Sequence, residues 1–205
     1  MIHLPFTRAD YYAVAVQTGA IAAGAGANSE VLQFRWDNAN YRAAITEVSV
    51  TGMIATTAFA VGAITLKMTE SRAFTADGSG GTALVFGGDS NVDNAALRTT
   101  MADSRVDDFR IATTAALTAG TQALEANDIG QITTHSSGGT GAATPIIGSI
   151  YLPTNTLFAA DQVKGQYPLV LAADEGFVVR ATVPGTGVWI LGLLVRWAEV
   201  DATFI

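Results

Sequence analysis

The chain has 205 residues, 49% of them hydrophobic, and a formal net charge of −7 from 11 Lys and Arg against 18 Asp and Glu. This acidic balance argues against a nucleic-acid partner, because nucleic acids select for basic surfaces. The absence of cysteine excludes disulfides, zinc–thiolate sites and thiol catalysis, and two histidines leave little material for a histidine-rich metal centre.

The low density of charge is the most informative part of the composition. Charged residues make up 14% of the chain, against roughly 25% in ordinary soluble domains. A monomer with so few charges tends to associate with itself, whereas a protein that hides much of its surface in an assembly is protected. We therefore expect a structural protein that works inside an assembly, built around one domain of ordinary size.

Residues 1–29 are expected to form an extended N-terminal arm. The first residues lack the basic stretch and apolar segment of a signal peptide, so we expect no secretion by the usual route. The uncharged run 11–29 contains Gln, Gly and Asn residues, which makes it a poor membrane span, and we expect no membrane partner. Within the arm, residues 11–16 alternate weakly as a strand does, and the Ala/Gly-rich run 21–28 has a flexible composition.

The segments after the arm alternate between apolar and polar residues, as half-buried strands do. Residues 31–36 (VLQFRW) predict one strand, 37–40 a turn, 41–54 a longer strand, and 60–72 another. The buried face of this last strand is predicted to carry Ile64, Leu66 and Met68.

Residues 73–134 form a distinct acidic segment. They carry eight acidic and three basic side chains, so about −5 of the total charge lies here, between Gly-rich stretches. We expect a loop-rich insertion on the surface, with one short helix over 93–105 that Asp93 caps and in which Leu97 and Met101 lie one turn apart. The insertion also contains two predicted short strands, at 108–115 and 120–124.

The C-terminal third predicts three strands, at 169–171, 177–183 and 188–200, separated by turns. One face of the last strand carries Trp189, Leu191, Leu193, Val195 and Trp197. The opposite face carries Ile190, Leu194 and Ala198. A strand that is apolar on both faces is usually central and covered twice. We expect the second cover to come from a neighbouring subunit or from the arm.

Together these patterns give eight to ten short strands linked by Gly-rich turns. They predict an all-β chain in which residues 30–205 form a single antiparallel β-sandwich, with the jelly roll as the preferred topology. No dependable internal repeat is present, which disfavours a solenoid or a propeller.

Two patterns resemble reactive motifs but are better explained as turns. The run Gly88-Asp89-Ser90-Asn91 is similar to the Gly-Asp-Ser box of a lipase/esterase family, which needs an Asp three residues before its histidine; Ile132 holds that place before His135. Residues 139–144 (GTGAAT) form an incomplete dinucleotide pattern without a following helix. We expect no catalytic residue, no cofactor and no metal site. A paired-carboxylate hydrolase and a carbohydrate-binding module are the less favoured alternatives.

The Asp cluster of the insertion raises the possibility of a bound calcium ion. Asp103, Asp107 and Asp108 lie close together, but calcium loops need regularly spaced oxygens around a sharp glycine turn. Here arginines are interleaved with the aspartates and glycine is absent. The pattern favours a solvated, salt-bridged surface.

Three arginines, Arg35, Arg180 and Arg196, fall on the outward faces of their predicted strands. Such positions suit two interpretations. The arginines could form ion pairs between subunits, a role that suits the guanidinium group better than lysine. Alternatively they are ordinary exposed side chains.

Residues 168–200 (PLVLAADEGFVVRATVPGTGVWILGLLVRWAEV) resemble the closing hairpin of virion structural proteins from tailed bacteriophages, most clearly in AADEGFVVRATVP and VRWAEV. Residues 64–76 (ITLKMTESRAFTA) and 108–124 (DFRIATTAALTAGTQAL) are similar in style to the same group. The Ala/Gly-rich front of the chain departs from it. The resemblance includes no catalytic residues and implies a protein that assembles on a phage particle, without fixing which part.

The resemblance implies a non-catalytic cement or decoration protein that is made in the host cytoplasm and binds the major capsid protein on the virion surface. Self-association is also expected, with a trimer as the expectation for a jelly roll. Strand addition by the arm, apolar burial and avidity over the lattice would hold the protein in place, so removal of residues 1–29 should leave a folded protein that fails to bind capsids. The candidate partner-binding residues are Tyr11, Tyr12, Val14, Val16, Ile21, Ile190 and Leu194. The alternative is a tail, baseplate or fibre component of the virion.

Overall fold

The computed structural model of the chain describes residues 9–22, 25, 27–86, 95–97, 101–136, 148–149, 155–161 and 165–204. Within these residues the secondary structure is entirely β, as the alternating patterns predict, and no helix is present. In chain order the strands are β1 (Ala9–Gln17), β2 (Ile21–Ala22), β3 (Ser29–Trp36), β4 (Tyr41–Thr57), β5 (Gly62–Ala76), β6 (Thr82–Leu84), β7 (Asp108–Ile111), β8 (Thr121–Ser136), β9 (Gly148–Ser149), β10 (Thr156–Ala159), β11 (Leu169–Leu171), β12 (Glu175–Thr182) and β13 (Val188–Asp201).

The strands form two antiparallel sheets, which lie face to face as a β-sandwich. Sheet A has the order β1-β13-β4-β10, with β2 beside β13 and with β9 and β11 beside β4. Sheet B has the order β6-β7-β3-β12-β5-β8. Strands from the two ends of the chain are therefore neighbours, since β13 pairs with both β1 and β4, and β12 pairs with β3.

The core lies between the sheets and is filled by one face of each long strand. On β13 this face consists of Trp189, Leu191, Leu193, Val195 and Trp197, all of them buried, as the sequence predicts. The Phe34 ring of β3 stacks on Phe177 at 5.1 Å and meets Trp197 edge-on at 5.6 Å, so aromatic rings join the two sheets. Full burial of one such apolar side chain stabilises the fold by about 1.5–3 kcal/mol.

The structure confirms the strands that the alternating patterns predict over β3, β4, β5, β12 and β13. Their observed ends differ by a few residues from the predicted ones. Ile64, Leu66 and Met68 of β5 are fully buried together, because residues two apart on a strand share one face.

The prediction of a half-buried β3 is wrong, since both of its faces are buried. Gln33 and Arg35 point away from the core yet are almost inaccessible to solvent. Gln33 donates a hydrogen bond to the Thr118 carbonyl, and Gly78 lies against the same side chain. Loops from the predicted insertion therefore form a second cover over this part of sheet B.

The predicted helix over 93–105 is also wrong within the described residues. Residues 95–97 are extended, and Ala96 forms a β-bridge to Tyr12. Residues 101–105 are irregular and run across the end of sheet A toward β7. The i, i+4 spacing of Leu97 and Met101 does not indicate a helix, because residues 95–97 form hydrogen bonds with β1 in place of helical ones.

The insertion holds more regular structure than its composition indicates. β8 runs from Thr121 to Ser136 and pairs along β5, far beyond the predicted strand at 120–124. Most of its side chains are exposed, so it lacks the one-sided apolar pattern from which strands are recognised. Its register against β5 shifts several times, which indicates β-bulges in this pair of strands.

The described part of the N-terminal arm lies within the sandwich. β1 pairs with β13 without interruption, from Ala9 opposite Val200 to Gln17 opposite Gly192. β2 continues the pairing further along β13, where Ile21 lies opposite Trp189. Residues 9–22 thus belong to sheet A and do not extend from it.

Candidate functional site

Three of the candidate partner-binding residues lie inside the protein's own core. Tyr12 and Ile21 are fully buried, and Val14 is nearly so. Val16 is half-buried and packs against the same core. These four side chains cannot meet a partner while β1 and β2 keep their places, so they stabilise the sandwich.

Tyr12 shows how firmly β1 is held. Its ring stacks on Trp197 at 5.4 Å, and its hydroxyl donates a 2.9 Å hydrogen bond to the Ala102 carbonyl. Burial raises the pKa of the Tyr12 phenol, and the carboxylates of Glu199 and Asp10 raise it further. The phenol therefore stays protonated and keeps its role as a donor.

The free edge of β1 is covered as well. The Ala13 amide donates to the Ala95 carbonyl at 2.9 Å, and the Leu97 amide donates to the Tyr11 carbonyl at 3.0 Å. Strand addition by the arm, as the sequence suggests, would require β1 to leave both β13 and residues 95–97. The arm in this conformation is a component of sheet A.

A buried carboxylate fastens the segment after residues 95–97. Glu199 is 1% exposed and accepts hydrogen bonds from the Ser104 hydroxyl, the Arg105 amide and the Trp197 indole. Its second oxygen pairs with the Arg105 guanidinium at 2.8 Å. Because all of these partners belong to the chain itself, this carboxylate stabilises the end of sheet A.

Arg35 likewise forms its ion pairs and hydrogen bonds with residues of the same chain. It is buried and pairs with Asp37 at 2.8 Å, with Asp77 at 2.7 Å and with Asp107, while its Nε donates to the Phe74 carbonyl at 2.6 Å. The expected inter-subunit or exposed role is wrong for Arg35. The acidic insertion closes over this arginine because its carboxylates neutralise a charge that would otherwise be buried alone.

Other charged side chains of sheet B also find their partners within the chain. Arg180 pairs with Asp128 at 2.9 Å, and Lys67 pairs with the same carboxylate at 2.8 Å. Asp108 pairs with Arg110 at 3.2 Å but is buried, so the prediction of ion pairs is confirmed and that of full solvation is wrong for Asp108. Within the described residues, no group of three His, Cys, Asp or Glu side chains is arranged to hold a metal ion.

Ile190 and Leu194 lie where the sequence places them, half-buried on the outward face of β13. The pairings of β13 surround them with small and apolar residues from β1 and β4. Ile54 of β4 lies opposite Ile190 and is 43% exposed. We call this surface the outer patch. It consists of Ala13, Ala15, Ile190, Gly192, Leu194, Arg196, Glu47, Gly52 and Ile54.

The outer patch is nearly free of charge. Its single ion pair joins Arg196 to Glu47 at 2.9 Å across two neighbouring strands. Among the described outward-facing residues between Val188 and Arg196 on β13 and beside them on β1 and β4, these two carry the only charges. Gly52 and Gly192 lie opposite each other, and the Thr51 side chain lies against Gly192.

Tyr11 lies just beyond the outer patch on the same face of sheet A. It packs on a small cluster of Ala9, Ala44, Ala198 and Val200. The predicted second cover of β13 thus comes in part from the arm, over Ala198. Over Ile190 and Leu194 no described residue of the chain supplies such a cover, and both remain accessible.

The sequence does not single out Ile54, Glu47 or the two facing glycines. They join the outer patch through the register of β4 against β13, which contains three irregularities. The alternation of β4 indicates which residues face outward, but the pairing partners are set by the bulges.

The reactive look-alikes Gly88–Asn91 and 139–144 lie outside the described residues. His135 is exposed at the end of β8. The part of the chain that the structure describes contains no helix with the length and apolar character of a membrane span. Comparison of the chain with protein-family models, with curated proteins and with solved structures found no match.

Proposed function

We propose that this chain is a non-catalytic structural protein of a tailed-bacteriophage virion, a cement or decoration protein that is assembled in the host cytoplasm and stabilises the capsid. The outer patch carries the proposal. It is an accessible apolar surface on the central strand of a sheet, with a single ion pair. Such a surface is best protected from solvent by a neighbour in an assembly.

We also propose the jelly roll as the topology of the sandwich. In a jelly roll a long hairpin folds over, so that the first and last strands pair in one sheet and the next two in the other. The orders β1-β13-β4-β10 and β3-β12-β5-β8 fit this scheme, with β6 and β7 added beyond β3. This architecture is common among capsid proteins, which supports the proposal by analogy of fold.

The distribution of charge gives independent support. The deeply placed ionisable groups, such as Glu199 and Arg35, hold parts of the fold together through partners in the same chain. A surface poor in free charges suits a protein that acts by contact. Many weak contacts repeated over a symmetric shell then add up through avidity.

Quantitative mass spectrometry of purified particles tests this function. A copy number near one, or near one third, of that of the major capsid protein is the expected result and fits a lattice component. About one copy per fifty would favour the alternative, a tail, baseplate or fibre protein. Absence from the particle would overturn both and favour a sugar-binding or hydrolytic role.

A further inference from the structure

The outer patch has an internal symmetry that the pairing of β13 with β4 creates. Three of the four outward-facing rows between Ile190 and Arg196 join residues that are alike or complementary, and the fourth joins Leu194 to Ser49. Ile190 lies beside Ile54, Gly192 beside Gly52, and Arg196 beside Glu47. The ion pair has one member on each strand and is partly accessible, with side-chain exposures of 52% and 28%.

These rows predict what would face them across a two-fold axis that runs parallel to the strands, between β13 and β4. Such an axis keeps each residue in its row and exchanges the two strands. Ile190 of one copy would lie over Ile54 of the other, and the glycines would face each other. Each Arg196 would meet Glu47 of the second copy, so one intrachain pair becomes a square of four alternating charges.

We infer that the partner which covers the outer patch is a second copy of this chain, related by this two-fold axis. The inference rests on the proposed function, in which the outer patch is a contact surface, and it names the occupant of that surface. The resulting unit is a dimer, in contrast to the trimer expected from the sequence. Surfaces of the dimer other than the outer patch then contact the capsid protein.

Charge complementarity favours a second copy over an unrelated protein. A foreign surface would have to present an anion and a cation at the spacing of Glu47 and Arg196, within an otherwise apolar area. A second copy supplies both by symmetry and leaves no charge buried alone. Flat sheet faces of small residues can also approach to the roughly 10 Å of aligned sheet packing.

The size of the patch sets the strength of the contact. Three strands wide and about eight residues long, it measures roughly 14 Å by 26 Å, or about 400 Å² per copy. The total buried area is then about 800 Å², which is below the range of stable interfaces and within that of weak, transient contacts. We therefore expect a reversible dimer in free solution that becomes stable where copies are held close together on a particle.

Sedimentation velocity of the full chain, at concentrations up to about 1 mM, tests the inference. The wild type should shift from monomer to dimer. Arg196→Glu and Glu47→Arg should each weaken association at least about tenfold, because like charges then face each other twice. An equimolar mixture of the two variants should regain it, since every contact between unlike copies joins opposite charges. The intrachain repulsion persists in that mixture, so recovery reports the contact between copies.

Ile54→Glu with Ile190→Glu provides a second variant and should also yield a monomer, with Ile129→Glu on β8 as the matched control that leaves the dimer intact. A wild type that stays monomeric, or a dimer indifferent to all of these changes, overturns the inference. If the chain stays monomeric but is still found on particles, the proposed function survives alone. If it dimerises as described but is absent from particles, the inference survives and the proposed function fails.

Discussion

Arg35 holds one end of the sandwich because it is the buried centre of a ring of carboxylates. Replacement by alanine would leave Asp37, Asp77 and Asp107 facing one another without a cation. These carboxylates are 41–49% exposed, so solvent screens part of their repulsion. We expect Arg35→Ala to lower the free energy of unfolding by about 2–3 kcal/mol, measured by urea denaturation at pH 7.

The conservative variant Arg35→Lys keeps the charge but cannot reproduce the several directed hydrogen bonds of the guanidinium. It should lie between alanine and wild type. Burial raises the pKa of Asp107, although Arg35 lowers it. The loss in Arg35→Ala should therefore shrink as the pH falls and Asp107 gains a proton. A loss below about 0.5 kcal/mol at pH 7 would contradict this account of the cluster.

The pKa of Asp128 is shifted in the opposite direction from that of Asp107. Burial raises its pKa, but hydrogen bonds from Lys67, Thr69 and Arg180 outweigh burial, so the pKa lies below its ordinary value. A carboxylate with a lowered pKa stabilises the folded state above its unfolded pKa of about 3.9 and loses this effect as the pH falls through the folded value. Asp128→Asn should cost about 2 kcal/mol at pH 7 and progressively less below pH 4. A cost that is the same at pH 7 and pH 2 would refute the assignment.

The residues at these positions could not have been assigned their roles from the sequence. Arg35 and Arg180 alternate outward on their strands, which is the ordinary signature of exposure. Arg35 is covered by residues of the insertion such as Asp77, and Arg180 is held by Thr69 of β5 and Asp128 of β8. That cover depends on contacts between residues 39 or more positions apart, such as Arg35 with Phe74, and local periodicity carries no information about it.

At the scale of elements, β1 is as much a part of the core as β13. Tyr12→Ala removes a stacked ring and a hydrogen bond at a fully buried position. We expect a loss of about 3–5 kcal/mol in unfolding free energy. Tyr12→Phe keeps the ring and should cost only about 1 kcal/mol, which separates the contribution of the ring from that of the hydroxyl. Equal losses for the two variants would contradict the role given to the ring.

The same burial changes the expectation for truncation. Removal of residues 1–29 takes away Tyr12, Val14 and Ile21 from the core, so a failure to bind capsids would follow from unfolding alone. A covalent lock on β1 is the sharper test of whether the arm leaves its sheet.

Ala9 and Val200 suit this lock because they lie opposite each other in a non-hydrogen-bonded pair. The backbones of Tyr11 and Ala13 point away from β13, so by the period of two that of Ala9 does also. The chain has no cysteine, so Ala9→Cys with Val200→Cys would form one disulfide. The oxidised variant should bind particles as well as the reduced variant does. Loss of binding on oxidation would show that the arm acts by strand exchange.

Strands were predictable from the sequence where buried and accessible residues alternate, as in β13 and the first half of β5. The prediction failed where tertiary contacts override local pattern. β8 is exposed on most of its length, and residues 95–97 hydrogen-bond to β1 in place of a helix. Ile190 and Leu194 of the candidate site could be predicted because their strand is apolar on both faces. Ile54 and Glu47 could be assigned to the site only from the register of β4 against β13.

At the scale of the whole molecule, the low content of charged residues and the nearly uncharged outer patch are two aspects of one property, a surface suited to contact. Within the described residues many charged side chains form internal pairs, and the outer patch carries one ion pair, between Arg196 and Glu47. Contact of the Ile54, Ile190 and Leu194 side chains with water contributes nothing to the stability of a free monomer. Their exposure is understandable in a protein whose working state is a particle.

The occupancy of purified particles by an outer-patch variant tests this account most directly. Ile190→Glu with Leu194→Glu places charges on the outer patch, and Ile129→Glu places one on sheet B, where the side chain is 38% exposed. Thermal unfolding should first show that both proteins are folded. The account predicts that the outer-patch variant is lost from particles at least about tenfold relative to wild type, while Ile129→Glu is retained. Equal retention of the two variants would contradict it.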